Sequence, residues 1–161
     1  MINLEVDKIR FATYEARQSL YKDLCSRIPY KPKVKTFLVT TDKVVETPTL
    51  KSLTASNTET IGIWAEGGDL RYIYIPYLYP LKSMKLKQYE EFIRISGWSG
   101  DFDDMKCGKF SCTGCVELNN LYDTIDWLNK NYFDYRGLIE RGLAVDCTNL
   151  NVYNKGNKYL V

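Results

Sequence analysis

The chain has 161 residues, 45% of them apolar and 26% charged, with 22 basic against 20 acidic side chains for a net charge of +2. This size and composition suit one globular domain with its own buried core and exclude a disordered chain. The near balance of charge argues against a domain built to grip a phosphate backbone, and the complete absence of His removes Ser-His-Asp and Cys-His catalysis, His bases and His metal ligands together.

Ile2, Leu4 and Val6 alternate as in a short strand or extended arm, and the segment lacks the basic and long apolar stretches of a signal peptide. From about Thr13 the period becomes helical. Leu20, Leu24 and Ile28 form one stripe, with Tyr21 and Cys25 beside it, Thr13 as a cap and Pro29 as the stop. Cys25 on that stripe reads as a buried structural thiol. The basic run Lys31, Lys33, Lys35 reads as a solvated edge.

The middle third has β character. Val34 to Val39, Val44-Val45, Ile61 to Ala65 and Leu70 to Ile75 are the candidate strands, with Gly67-Gly68-Asp69 as a hairpin turn. Short strands in succession without a helix between them predict a small antiparallel sheet, in its tightest form an SH3-like barrel. After Pro80, Ser83 is placed to cap a helix through Leu86, Tyr89, Phe92 and Ile93 that ends near Gly97. Another helix follows, with Leu118, Leu121, Tyr122, Ile125 and Leu128 as its apolar stripe and Trp127 on the flank. Gly137 and Gly142 bracket a turn, and Ala144-Val145 reads as a closing strand. The expectation is an α+β domain over residues 1–148, an N-terminal helix and two C-terminal helices packed on the sheet, with a polar tail at 149–161.

The cysteines are five, an odd number that fits reduced thiols and a cytoplasmic setting better than a disulfide scaffold. Cys107, Cys112 and Cys115 sit on a Gly-containing loop whose C-x2-C half resembles a zinc knuckle, and Cys147 is the one remaining candidate for a fourth ligand. The second C-x2-C pair of a zinc ribbon is missing, so the cluster reads as free thiols without metal, and no cofactor is expected. Asp101, Asp103 and Asp104 lack the Gly and terminal Glu of a calcium loop. No phosphate-binding loop and no G-x-S-x-G elbow are present, which leaves an enzyme reading without a motif. No apolar stretch approaches the ~18 residues of a membrane span.

The Tyr-rich strand carries the binding expectation. Alternation places Ile73 and Ile75 toward the core and Tyr72 and Tyr74 on the other face. Arg71, Tyr72, Tyr74 and Tyr77 are therefore the candidate partner-binding residues, since tyrosine offers rigid contact area at low entropic cost.

Three blocks of sequence resemble a family of small proteins encoded by phages and prophages of gut bacteria. They run Lys22 to Tyr30, Pro76 to Met84, and Asp126-Trp127-Leu128-Asn129 on to Phe133 through Ala144. The chain departs from that pattern at Lys31-Pro32, where the family has a Gly-Val turn, at Lys85, and throughout the Cys107–Cys115 loop. The resemblance implies a phage or mobile-element origin and brings no activity with it. The expected role is then a phage accessory protein that binds a host protein stoichiometrically in the host cytoplasm and blocks it, a CRISPR effector or other defence nuclease being the partner of most interest. A nucleic-acid-binding module using the β-rich middle is the alternative, and a redox protein built on the cysteine loop is a third.

Overall fold

The computed structural model describes residues 14–38, 44–46, 49, 72–103 and 118–153. The chain forms two compact units: Met1–Tyr77 with Leu138–Val145, and Leu78–Gly137 with Asp146–Val161. The fold is α+β. Its described strands are β1 (Val34–Leu38), β2 (Val44–Glu46), β3 (Tyr72–Pro80), β4 (Phe133–Asp134) and β5 (Val145–Asp146). They pair in the order β2-β1-β3-β4, with β5 also pairing β3. The sheet is mixed, because β3 pairs antiparallel with β1 but parallel with β4. Among the described residues it is open, not closed into a barrel, and the hairpin expected at Gly67-Gly68-Asp69 lies outside them.

In the first unit, helix α1 (Tyr14–Arg27) buries Leu20 and Leu24 completely, which stabilises by roughly 1.5–3 kcal/mol for each side chain. It stops where Pro29 requires. Ile28–Tyr30 forms a single 3-10 turn, and Lys31 enters the left-handed region at φ 55 with its N–H donating to Ile28 O at 3.0 Å. Ile28 is consequently half-buried and not part of the core stripe. Cys25 is half-buried as well, with the Tyr21 hydroxyl hydrogen-bonded to its sulfur one turn away. The candidate cap Thr13 lies outside the described residues.

The inner face of α1 holds something periodicity did not disclose. Asp23 and Arg27 are fully buried and meet side by side, Nε to Oδ2 at 2.7 Å and Nη2 to Oδ1 at 3.0 Å. Both charges leave water, and the two-pronged hydrogen bonding offsets part of that cost.

Strand β1 pairs with β3 from Val34↔Pro76 to Leu38↔Tyr72, and Tyr77 N–H continues the ladder to Lys33 O at 3.1 Å. Pro76 is thus accommodated inside a nine-residue strand. Tyr74, Ile75, Tyr77 and Leu78 are all buried. Successive residues point to opposite faces of a strand, so β3 is covered on both. The expected division into an apolar inner face and an open tyrosine face does not hold.

The second unit begins where Tyr79 N–H donates to Tyr132 O at 2.9 Å, in the parallel pairing Tyr79↔Phe133. Ser83 spends its hydroxyl on Pro80 O at 2.7 Å inside a 3-10 turn. The cap of helix α2 (Leu86–Ser96) is therefore formed otherwise, by Gln88 Oε1 accepting from Lys85 N–H at 2.9 Å. Gly97, at φ 63, ends α2 as expected, its N–H donating to Ile93 O at 2.9 Å. Helix α3 (Leu121–Lys130) buries Thr124, Trp127 and Leu128, an i, i+3, i+4 face. The stripe predicted from Leu121, Tyr122 and Ile125 is rotated: Trp127 takes the inner position, Ile125 is half-buried, and Leu121 and Tyr122 are exposed. Trp127 wins because it fills the space among Phe92, Leu128 and Phe133 in one aromatic core, stacked on Phe133 at 5.7 Å and tilted against Phe92 at 5.7 Å. Tyr153 is buried and stacks on Tyr132 at 3.8 Å, so the tail as far as this residue belongs to the packed unit.

Candidate functional site: a cleft between two helices

Helices α2 and α3 are packed side by side in the second unit, and a cleft of about 500 Å³ opens on their solvent side. Glu91, Arg94 and Ile95 of α2 form one wall. Asp123, Asp126, Trp127 and Lys130 of α3 form the other. Asp123 and Asp126 are three residues apart on one helix face, and Trp127 and Lys130 repeat that spacing beside them.

Three carboxylates face two cations. Arg94 Nη2 lies 4.0 Å from Glu91 Oε1, with its side chain 77% exposed against 22% for Glu91, so water screens most of that attraction. The other oxygen of the same carboxylate, Glu91 Oε2, is turned away from solvent and has no donor. Trp127 is only 6% exposed, and its indole N–H has no acceptor. Both atoms are closed to solvent, beneath the walls and not on the open surface of the cleft. Each costs about 1–3 kcal/mol while unsatisfied.

Just outside the cleft, one turn before Asp126 on the same face, Tyr122 is 85% exposed, and Leu121 beside it is 41% exposed. Every other described aromatic side chain of this unit is buried or half-buried.

The residues singled out in the sequence are placed otherwise. Tyr74 and Tyr77 are in the core, where they present no surface to a partner. Arg71 and the Tyr72 side chain lie outside the described residues, as do Cys107, Cys112, Cys115 and Asp104. Cys147 is fully buried, and the Tyr79 hydroxyl donates to its sulfur. Burial, reinforced by the charge of Asp146, pushes the Cys147 thiol up to about 12 although the Tyr79 hydrogen bond pulls the other way. Burial together with the neighbouring Cys147 and Tyr132 also pushes the Tyr79 hydroxyl up to about 12. Such a thiol stays protonated and is inert as a nucleophile. Asp101 and Asp103 are exposed, and among the described residues no group of His, Cys, Asp or Glu is arranged to hold a metal ion.

The cleft was overlooked because its parts are unremarkable in sequence. Glu91 and Arg94 read as an ordinary solvated helix face. The available signal was Asp123-x-x-Asp126-Trp127, a bulky ring flanked by two acids at helical spacing. No protein-family model, no curated protein and no solved structure matches the chain.

Proposed function

We propose that this chain acts by stoichiometric binding to another protein, through the outer face of α3 and the cleft beside it. The observation that carries the reading is Tyr122, whose ring stands 85% exposed next to the exposed Leu121 in a unit that shelters its other described aromatics. An aromatic held rigid on a helix and left in water is the kind of residue that anchors protein interfaces. The acidic residues Asp123 and Asp126 beside it fit a partner whose contact surface is basic. The resemblance to phage-encoded proteins supports a host protein as that partner. A defence nuclease such as a CRISPR effector suits the charge, because surfaces that grip nucleic acid are basic. Blocking such a surface requires no catalytic group, in keeping with a chain that has no His and no recognised catalytic motif.

The test is capture of the partner from host lysate by the wild-type chain and by Tyr122→Ala, followed by native mass spectrometry of the complex. A one-to-one complex whose affinity falls by about 2 kcal/mol or more in the variant is expected. Multiple-turnover inactivation of the target, or full affinity in Tyr122→Ala, would overturn the reading. Retention of bare nucleic acid alone, lost steeply with salt, would favour a nucleic-acid module instead.

A further inference from the structure

We infer that this chain associates with a second copy of itself, the start of α2 in one copy docking on the start of α3 in the other. The inference goes beyond the binding reading above, because it needs no host partner.

Among the described residues four large apolar side chains are exposed: Leu86 at 57%, Leu121 at 41%, Tyr122 at 85% and Leu150 at 44%. A single exposed leucine is ordinary on a protein surface. Three of these four, however, sit in two short segments of opposite charge, both in the second unit. Around Leu86, residues 81–88 contain Lys82, Lys85 and Lys87 and no acid, and all three lysines are exposed. The first acid beyond them, Glu90, comes one turn later on α2. Around Leu121 and Tyr122, residues 118–129 contain the exposed Asp123 and Asp126 and no cation.

The needs of helix α2 do not account for lysines at its start. Lys85 is the N-cap, Lys87 follows in the first turn, and that turn holds no acid. The N–H groups at a helix start carry partial positive charge, which disfavours cations beside them. A surface bearing carboxylates relieves that repulsion, and an apolar patch on the same surface covers Leu86. The start of α3 offers both, in Asp123 and in Leu121 with Tyr122. Within one molecule the two segments do not cover each other, since Leu86 and Tyr122 are both left in water. Between copies they are complementary in charge and in apolar area.

An interface built on so few residues belongs to the weak, transient class. Its charges set register and lose strength as salt rises. It also uses Tyr122, so a second copy and the host partner compete for one face.

The experiment is sedimentation equilibrium of the intact chain across a concentration series at low and high salt. The weight-average mass of the wild type should rise above the monomer with concentration, and less so in high salt. Lys85→Glu with Lys87→Glu should weaken association at least tenfold, and so should Asp123→Lys. All three substitutions in one chain restore opposite charges across the contact and should bring association back, a rescue that a misfolded variant cannot give. A wild type that stays monomeric, association unmoved by Lys85→Glu with Lys87→Glu, or a triple variant that stays monomeric would each overturn the inference. A monomeric chain whose lysines instead bind anionic vesicles or nucleic acid would overturn it as well. Partner capture separates this inference from the binding reading. Monomeric wild type with capture lost in Tyr122→Ala sinks self-association and leaves the host-partner reading standing. Rescued self-association with capture untouched by Tyr122→Ala does the reverse.

Discussion

Two carboxylate–guanidinium pairs on the described helices differ in nearly every physical respect. Asp23–Arg27 on α1 is fully buried, with both members at 0% exposure and a shortest contact of 2.7 Å. Glu91–Arg94 on α2 is a 4.0 Å contact between a side chain 22% exposed and one 77% exposed. The first pair leaves water together and meets through two side-chain hydrogen bonds, which gives it a role in holding one packing arrangement. The second leaves its carboxylate half satisfied at the edge of a cleft. A pair of that kind contributes little to folding. The same two chemistries thus sit in a packed core in one unit and at the edge of an open cleft in the other.

The largest expected effect tests the buried member. Asp23→Ala leaves the Arg27 guanidinium in the core without its counter-charge and should destabilise by about 3–5 kcal/mol in denaturant unfolding. The double variant Asp23→Leu, Arg27→Met removes both charges at similar volume and should recover most of that loss. Equal cost for single and double variants would mean that shape, not charge, holds this site.

A neutral pair, the half-buried Tyr79 with the buried Cys147, extends the comparison to alkaline pH. The thiol ordinarily ionises near 9.0 and the phenol near 10.0, whereas here both are held up to about 12. Between those limits the unfolded chain releases protons that the folded chain retains. The stability these groups carry is complete below pH 9.0 and declines as pH rises toward about 12. Unfolding at stepped pH should show this decline, and Cys147→Ser should make its thiol share disappear. Native Cys147 should also resist alkylation at pH 8 until the chain unfolds.

Binding gives the next effect in size. Tyr122→Ala should cost about 2 kcal/mol or more in partner affinity while changing folding stability by no more than about 0.5 kcal/mol, because an exposed ring has little burial to lose. A stability loss well above that value, seen by thermal unfolding, would mean that Tyr122 is structural.

The elements themselves were legible in the sequence wherever a single residue dictates the backbone. Pro29 ended α1, Gly97 ended α2, and the Gly137–Gly142 turn closed with Gly142 N–H on Ile139 O at 3.0 Å. The faces were less legible. Tyrosine is amphipathic, so alternation in β3 could not say whether Tyr74 and Tyr77 would lie in water or in the core; the folded unit buries them. On α3, Leu121, Tyr122 and Ile125 make as good an apolar stripe as Thr124, Trp127 and Leu128. Only the volume of Trp127, seated against Phe92 and Phe133, decides between them. The cleft was harder still, since it depends on how two helices meet, and no local pattern encodes that.

The smallest expected effect falls on the exposed pair and decides whether the comparison holds. Arg94 is 77% exposed and 4.0 Å from its acid, so its charge is screened and its stem covers little apolar surface. Its removal in Arg94→Ala should change stability by less than about 0.5 kcal/mol, in line with exposed i,i+3 pairs. The change should be insensitive to added salt within the error of unfolding measurements. The same substitution takes one of the two cations from the cleft and leaves its three carboxylates in place. A cost above 1 kcal/mol in stability, on the order of a buried hydrogen bond, would place Glu91–Arg94 with Asp23–Arg27 as architecture and remove the distinction between the two units' pairs.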